Sequence, residues 1–310
     1  MPPSAADRRV RGWSLLLGAT LCWASAGVLV RTQSVTAPWE ITFWRSSVMV
    51  VFLALVMAWP RWRDGTRPGA IAQVRAAGVP GVLSGLLLAT MCVCFIVALS
   101  LSTVADTLVL TSLSPFTSAL AVWLLLGERV AWRTWLAIAA AAAGVAAIFA
   151  DGLGRGSVVG QLLALVVPLC YGLNVALLRR MHAHVDMVPG VFLGGVFSAL
   201  IAWPFAMPFT AQPADFVNLG LLGVVQLGLG CVLMVRASRH LSGAELGFAA
   251  PLETVLGTAS VWWLLGEAPR PLALVGGLVV LAAVLLHALW PTAPSAATTT
   301  ASARRAVASP

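Results

Sequence analysis

Ten long apolar stretches alternate with short polar breaks along this chain. They run approximately over 12–30, 38–59, 79–98, 104–126, 133–150, 158–178, 188–208, 217–236, 242–265 and 271–290. Each break carries charge, proline or glycine. A helix needs about 20 apolar residues to cross a bilayer, and these stretches have that length. Most are apolar all round, so periodicity does not separate helix from strand and length decides for helix. Lipid offers backbone groups no water, which leaves helices as the spanning form at this length. The pattern predicts an all-α integral membrane protein with ten transmembrane helices. WPRWRDGTRPG (59–69) reads as a loop. DGLGRG (151–156) separates two halves, and the Ala-, Thr-, Ser- and Pro-rich tail 291–310 reads as disordered.

The two halves repeat one another. Residues 105–128 and 244–267 align without a gap at an offset of 139, with eight identities in 24 positions. These are Ala105/Ala244, Leu113/Leu252, Val122/Val261, Trp123/Trp262, Leu125/Leu264, Leu126/Leu265, Gly127/Gly266 and Glu128/Glu267. Asp106 matches Glu245 in charge. A second match, 20–31 with 168–179 at an offset of 148, pairs Cys22 with Cys170, Trp23 with Tyr171 and Arg31 with Arg179. Internal repeats set the whole fold. This one also bears on the N-terminus. Arg8, Arg9 and Arg11 ahead of Ala24-Ser25-Ala26 resemble a cleavable signal, but the second copy is internal, so the first is expected to be a retained helix.

Composition agrees. The chain is 60 % hydrophobic and 10 % charged, against about 25 % charge in soluble domains. All 19 basic residues are arginine. The net charge of +8 would suit nucleic acid, but the arginines sit in short breaks between apolar stretches. Alternate breaks, starting with the N-terminus, hold 15 of them. The other set holds three, Arg31, Arg155 and Arg270, and Arg45 lies within a span. That bias places both termini in the cytoplasm. Five helices per half is an odd number, so the second half enters from the opposite side. The expected architecture is two inverted five-helix repeats, a common plan of secondary transporters with the site near the midplane. The boundaries are a cytoplasmic N-terminus 1–11, repeats 12–150 and 158–290, a linker 151–157 and a cytoplasmic tail 291–310.

The residues also resemble a known family. Trp23 in the first helix, Arg45 in WEITFWRSS, the segment SLSPFTSALAVWLLLGE (112–128) and Gly144 in the fifth helix are similar to the EamA family of the drug/metabolite transporter superfamily. The resemblance covers about 10–290. It implies a transporter, usually an exporter of amino acids, metabolites or amphipathic compounds, in a bacterial inner membrane. The second half departs from the pattern. The family's proline would fall at Thr254, whereas this chain has Pro251 one turn earlier, and the counterpart of Arg45 is absent, with Val196 near that place.

Several residues are candidates for substrate binding or coupling. Pro115 and Pro251 each free a carbonyl in mid-helix, and matched breaks in both halves point to a transport site; packing kinks are the plainer reading. Thr111, Ser112 and Ser114 could bond freed carbonyls or touch substrate. Glu253 lies near mid-span, where a charged carboxylate costs roughly 2.5–3.5 kcal/mol, so it should line a cavity, pair or stay protonated. Arg45 could hold a substrate carboxylate or an internal acid, while Glu40 suits the helix start. Trp23, Tyr171, Asn174 and Gln226 could line an amphipathic pocket or pack in the core. Glu128 and Glu267 look like structural residues at helix ends, and Asp106 and Glu245 like caps or gates.

The expected partners are a small-molecule substrate and the lipid bilayer, with a homodimer allowed and nucleic acid excluded. Neither a cofactor nor a metal is expected. Cys92 and Cys94 point about 200° apart on a helix, and the His182/His184 pair lacks acidic or cysteine companions. No phosphate-binding loop or catalytic motif appears, which argues against an ATP-driven pump and against an enzyme. The function read from the chain is secondary export by alternating access, with proton coupling through Glu253 and facilitated diffusion both open. A non-transporting receptor or scaffold is the alternative.

Overall fold

Every apolar stretch folds as helix, and the helices group into ten rods. The computed structural model describes residues 5–64, 69–128, 130–152, 158–181, 187–241 and 243–289. The tail 291–310, the His182/His184 pair and the linker beyond Gly152 lie outside the described residues. We number the rods α1 to α10. α1 is Ala5–Ala24 continued, after a turn at Ser25, by Ala26–Arg31; α2 is Pro38–Asp64 and α3 Ala70–Leu101. α4 comprises Val104–Thr111 and Ser114–Leu126; α5 is Trp132–Gly152, α6 Val158–Arg180 and α7 Met187–Ala206. α8 runs from Asp215–Leu221 through a π-helical stretch, Leu222–Leu229, into Gly230–Ala237. α9 comprises Gly243–Leu246 and Ala249–Leu265, and α10 is Pro271–Leu289. No strand occurs among the described residues.

The rods α1 to α8 are long and apolar enough to cross a membrane. Pro271–His287 is a shorter apolar helix, and the longer piece of α9 has 17 residues. The chain is therefore a multi-pass membrane protein. Two boundaries differ from the sequence reading. The stretch read as a loop at 59–69 is helical as far as Asp64. α3 starts at Ala70, well before the apolar stretch at 79, and bends at Gly78, whose φ of 55° sits just ahead of Pro80. Glycine, with no Cβ, takes this positive φ without strain and turns the chain there.

The main packing runs between the two halves, not within them. α3 packs on α6 and α7, α1 on α8 and α9, α4 on α6 and α9, α2 on α7 and α8, and α5 on α10. Exchanging each rod with the one five places on maps this set onto itself. Individual contacts obey the same exchange. A Cβ on Gly144 would stand 2.5 Å from the Gly276 carbonyl oxygen, and one on Gly276 2.5 Å from that of Gly144. The hydroxyls of Ser46 and Ser198 meet at 2.9 Å between α2 and α7. The repeated Leu-Gly-Glu motif has a shared cause as well. Gly127 and Gly266 end α4 and α9 in the left-handed conformation, at φ 71° and 72°, a position that favours glycine. The glutamate that follows is thrown clear of the helix end.

Candidate functional site

The rods that carry Pro115 and Pro251, α4 and α9, each break just ahead of that proline. α4 breaks at Ser112–Leu113 and Pro115 enters the first turn of the next piece. α9 breaks at Gly247–Phe248, and Pro251 lies in the first turn of Ala249–Leu265. A first-turn proline has no intrahelical N–H to lose, so the break tracks the proline and sits one turn earlier in α9. The freed groups are satisfied by protein. Ser114 Oγ donates to the Thr111 carbonyl, the bond Pro115 cannot make. Thr111 Oγ1 donates to Leu108 O at 3.0 Å, and Ser112 Oγ to Val109 O. Thr254, the residue standing where the family's proline would fall, donates its hydroxyl to Leu108 O from the other half at 3.1 Å. Of the two roles read for these hydroxyls, the structure displays the carbonyl bonds.

Arg45 is the largest fully buried side chain, 2 % exposed. Its Nε donates to Gln226 Oε1 at 3.1 Å, and the guanidinium lies over the Phe95 ring at 5.9 Å from the centroid. Gln226 sits within the π-helical stretch of α8. That stretch packs closely on α2, since a Cβ on Gly223 would stand 2.7 Å from the Arg45 carbonyl oxygen. Trp23 packs against α8 just beyond it: a Cβ on Gly230 would meet the Trp23 indole nitrogen at 2.5 Å. Cys92 and Cys231 lie near Arg45, and Glu253 lies near Cys231. Arg45, Gln226, Trp23 and Glu253 are thus brought into one neighbourhood contributed by α2, α8, α1 and α9.

Three of the candidates are partly accessible, and the accessible side is not the lipid side. On α6, Leu162, Leu169 and Leu173 are exposed together, and the ~100° step per residue puts Tyr171 on the opposite side of the rod. Tyr171 is nevertheless 40 % exposed. On α1 the exposed Leu17 and Leu21 lie across from half-buried Trp23. On α9 the exposed Val255 and Trp262 lie across from half-buried Glu253. All three point into the bundle and retain free surface there, as side chains around an internal cavity do. Asn174, buried on α6, has its Oδ1 without a hydrogen-bond partner. Glu40 is placed elsewhere. Its carboxylate accepts from the backbone N–H groups of Thr210 and Ala211 at 2.9 Å each and from the Thr210 hydroxyl. It holds the loop between α7 and α8.

The same face carries a larger network. Arg31 at the end of α1 pairs with Glu267 after α9 at 3.1 Å and donates to Ser102 O. Glu267 also accepts from the Val104 N–H at the start of α4. One turn deeper, Asp106 pairs with Arg270 at 2.5 Å and accepts from Gln161 Nε2, which also reaches Ile148 O. Asp215 accepts from the Ser34 N–H and hydroxyl and from the Gln212 N–H. At the opposite face, that of Arg9, Glu245 pairs with Arg9 and Glu128 with Arg179.

The model of the EamA-like transporter family matches this chain twice, over residues 10–150 and 158–289. The chain belongs to that family. As an EamA-family protein it has named relatives. It is 28 % identical over 280 residues to the pseudopaline exporter of Pseudomonas aeruginosa, covering 88 % of this chain and 94 % of the relative. It is 33 % identical over 189 residues to a protein of Streptantibioticus cattleyicolor named "Probable terminal-alkyne amino-acid exporter", covering 57 % of this chain and 61 % of that one. A solved crystal structure shares the fold, with a TM-score of 0.64 at 18 % identity over 92 % of this chain and 98 % of the other. The chain is thus a membrane transporter by family.

Sequence reasoning passed over Gln161, Arg270 and Thr254, and took Asp106 only as a cap or gate. A signal was present for two of the pairs. Arg31 and Arg270 are exceptions to the arginine bias, and each is explained by an acid partner across the halves. Cys92 and Cys231 stand at the repeat offset of 139 and lie within electrostatic reach of each other.

Proposed function

We propose that this EamA-family protein exports small, amino-acid-like metabolites across the bacterial inner membrane by alternating access. Ten transmembrane helices form two inverted five-helix repeats, 12–150 and 158–290, joined by the linker 151–157, with both termini in the cytoplasm. Inverted repeats let one site be closed alternately at either face by equivalent parts. The observation that carries this reading is the crossed pairing of repeat-related residues. Arg31 and Arg179 are equivalent, and Glu267 and Glu128 are equivalent; the pairs formed are Arg31–Glu267 and Arg179–Glu128, at opposite faces. Each face is closed by one residue from each half. Names of the relatives support the substrate class.

Glu253 would couple export to protons. It is the carboxylate that points into the bundle at mid-depth, where an uncompensated charge is costly. Protonation from one side and release to the other would return the empty carrier. The test is counterflow and gradient-driven flux of an amino-acid panel in proteoliposomes, with and without a pH gradient. Saturable flux that responds to the gradient in the wild type and loses that response in E253Q, while counterflow persists, is the expected outcome. An unchanged response in E253Q would remove the coupling role, and absence of flux across the panel would remove the exporter reading.

A further inference from the structure

We infer that Arg45 and Gln226 form the receptor for a carboxylate group on the exported molecule. The inference deepens the exporter reading and rests on it. Arg45 is withdrawn from water in a span, and it forms no ion pair among the described residues. A neutral amide takes its Nε, and its Nη1 is sealed from solvent without a hydrogen-bond partner. Taking a cation out of water without an anion is strongly unfavourable, and a chain selected for stability alone would carry an apolar residue there. An internal acid, the other reading of this residue, is not what the structure pairs with it. Glu40, one and a half turns earlier on α2, is fully engaged by Thr210 and Ala211.

What the guanidinium lacks is what a carboxylate supplies. Arginine presents a planar fork that takes two carboxylate oxygens at once, and Nη1 is the free tine of that fork. Gln226 fixes the fork's orientation from Nε. It does so from the π-helical stretch, where one extra residue per turn redirects side chains, a device found mostly at functional sites. The Phe95 ring backs the guanidinium. A zwitterionic or acidic metabolite satisfies this arrangement, and a simple amine does not.

The experiment uses the full chain in proteoliposomes with three matched pairs that differ only by the carboxylate. These are L-phenylalanine and phenethylamine, L-leucine and isopentylamine, and L-histidine and histamine. Saturable counterflow of at least one amino acid, without flux of its paired amine, is the expected wild-type result. R45Q should raise the KM for that amino acid by at least about tenfold, the loss of a charged hydrogen-bonded contact. R45K, which keeps the charge and loses the fork, should fall between the two. Thermal unfolding in detergent separates this from a structural role. R45Q should keep or raise the midpoint, whereas a residue that holds the fold together would lower it. Equal flux of acid and amine, or an unchanged KM in R45Q, would overturn the carboxylate site and leave the exporter standing. Absence of flux for all six compounds would overturn both.

Discussion

The two membrane faces of this protein are built from equivalent residues and are closed to different depths. At the face of Arg9, the pair Arg179–Glu128 stands in solvent, with Glu128 54 % exposed, and Arg9–Glu245 joins an exposed arginine to a largely buried glutamate. At the other face, Arg31–Glu267 is half-buried and Asp106–Arg270 lies beneath it, with Asp106 1 % exposed. Backbone groups of α3, α4 and α5 join the second network through Ser102 O, Val104 N and Ile148 O. Gly160 lets α6 press onto that corner, since a Cβ there would stand 2.9 Å from Leu101 C and Ser102 N. Equal sequence material therefore yields unequal closure. The difference teaches that the repeat provides the fasteners while burial decides which are drawn tight, and the network away from Arg9 is the more deeply buried.

The largest effect is expected at Asp106. Removing one partner of a buried pair leaves the other charged group uncompensated and costs about 3–5 kcal/mol. D106A removes the short ion pair to Arg270 and one bond of Gln161. Unfolding in detergent by denaturant titration should show a loss in that range, and R270L combined with D106A should cost much less than the sum of the single changes. A loss below about 1 kcal/mol for D106A would mean that the deep pair does not close this face.

Glu267 comes next. E267A removes a half-buried ion pair and the acceptor for the Val104 N–H at a helix start, together about 1–2 kcal/mol. Charge exchange sharpens the point. R31E and E267R should each destabilise, and the double exchange should recover the Arg31 contact but not the Val104 bond, giving partial rescue. Full rescue would assign the whole effect to the ion pair and none to the helix start.

Much of this was legible from the chain. The helical rods and the repeat follow from segment length and two fixed offsets, since lipid leaves helices few alternatives. Gly127 and Gly266 announce their helix ends, because a left-handed cap wants glycine. That Trp23 and Glu253 face the bundle interior was open to the sequence, as aromatic and acidic groups in a span need somewhere to face. Other features were hidden. Gln161 and Arg270 gain meaning only when α6 and α10 are brought beside α4, a tertiary event with no local pattern. Glu40 looked like a site residue for the same reason in reverse, because its partners, Thr210 and Ala211, are 170 positions away along the chain. The π-helical register around Gln226 has no sequence mark, because Leu, Gly and Val serve an α-helix as readily.

The smallest effect in this structure is expected at Glu128, and it is also the most informative. An exposed arginine–glutamate pair contributes about 0–1 kcal/mol. Its contribution should vanish at 0.5 M salt, where the screening length is only about 4 Å. E128A should therefore be nearly silent by unfolding titration in the wild type. It should not be silent once the deep network is broken. Under the proposed alternating access, D106A should loosen the face away from Arg9 and shift the population toward a form closed at the face of Arg9, with the Arg179–Glu128 pair shielded. A ligand or mutation moves such an equilibrium only through a difference between the two states, and the Glu128 pair then supplies that difference. E128A measured in the D106A background should cost more than in the wild type, by about 0.5–1 kcal/mol, although the two sites are about 30 Å apart and additivity is the rule at that separation. Strict additivity would mean that the faces close independently, and the equivalence of their fasteners would then be a record of duplication without a part in transport.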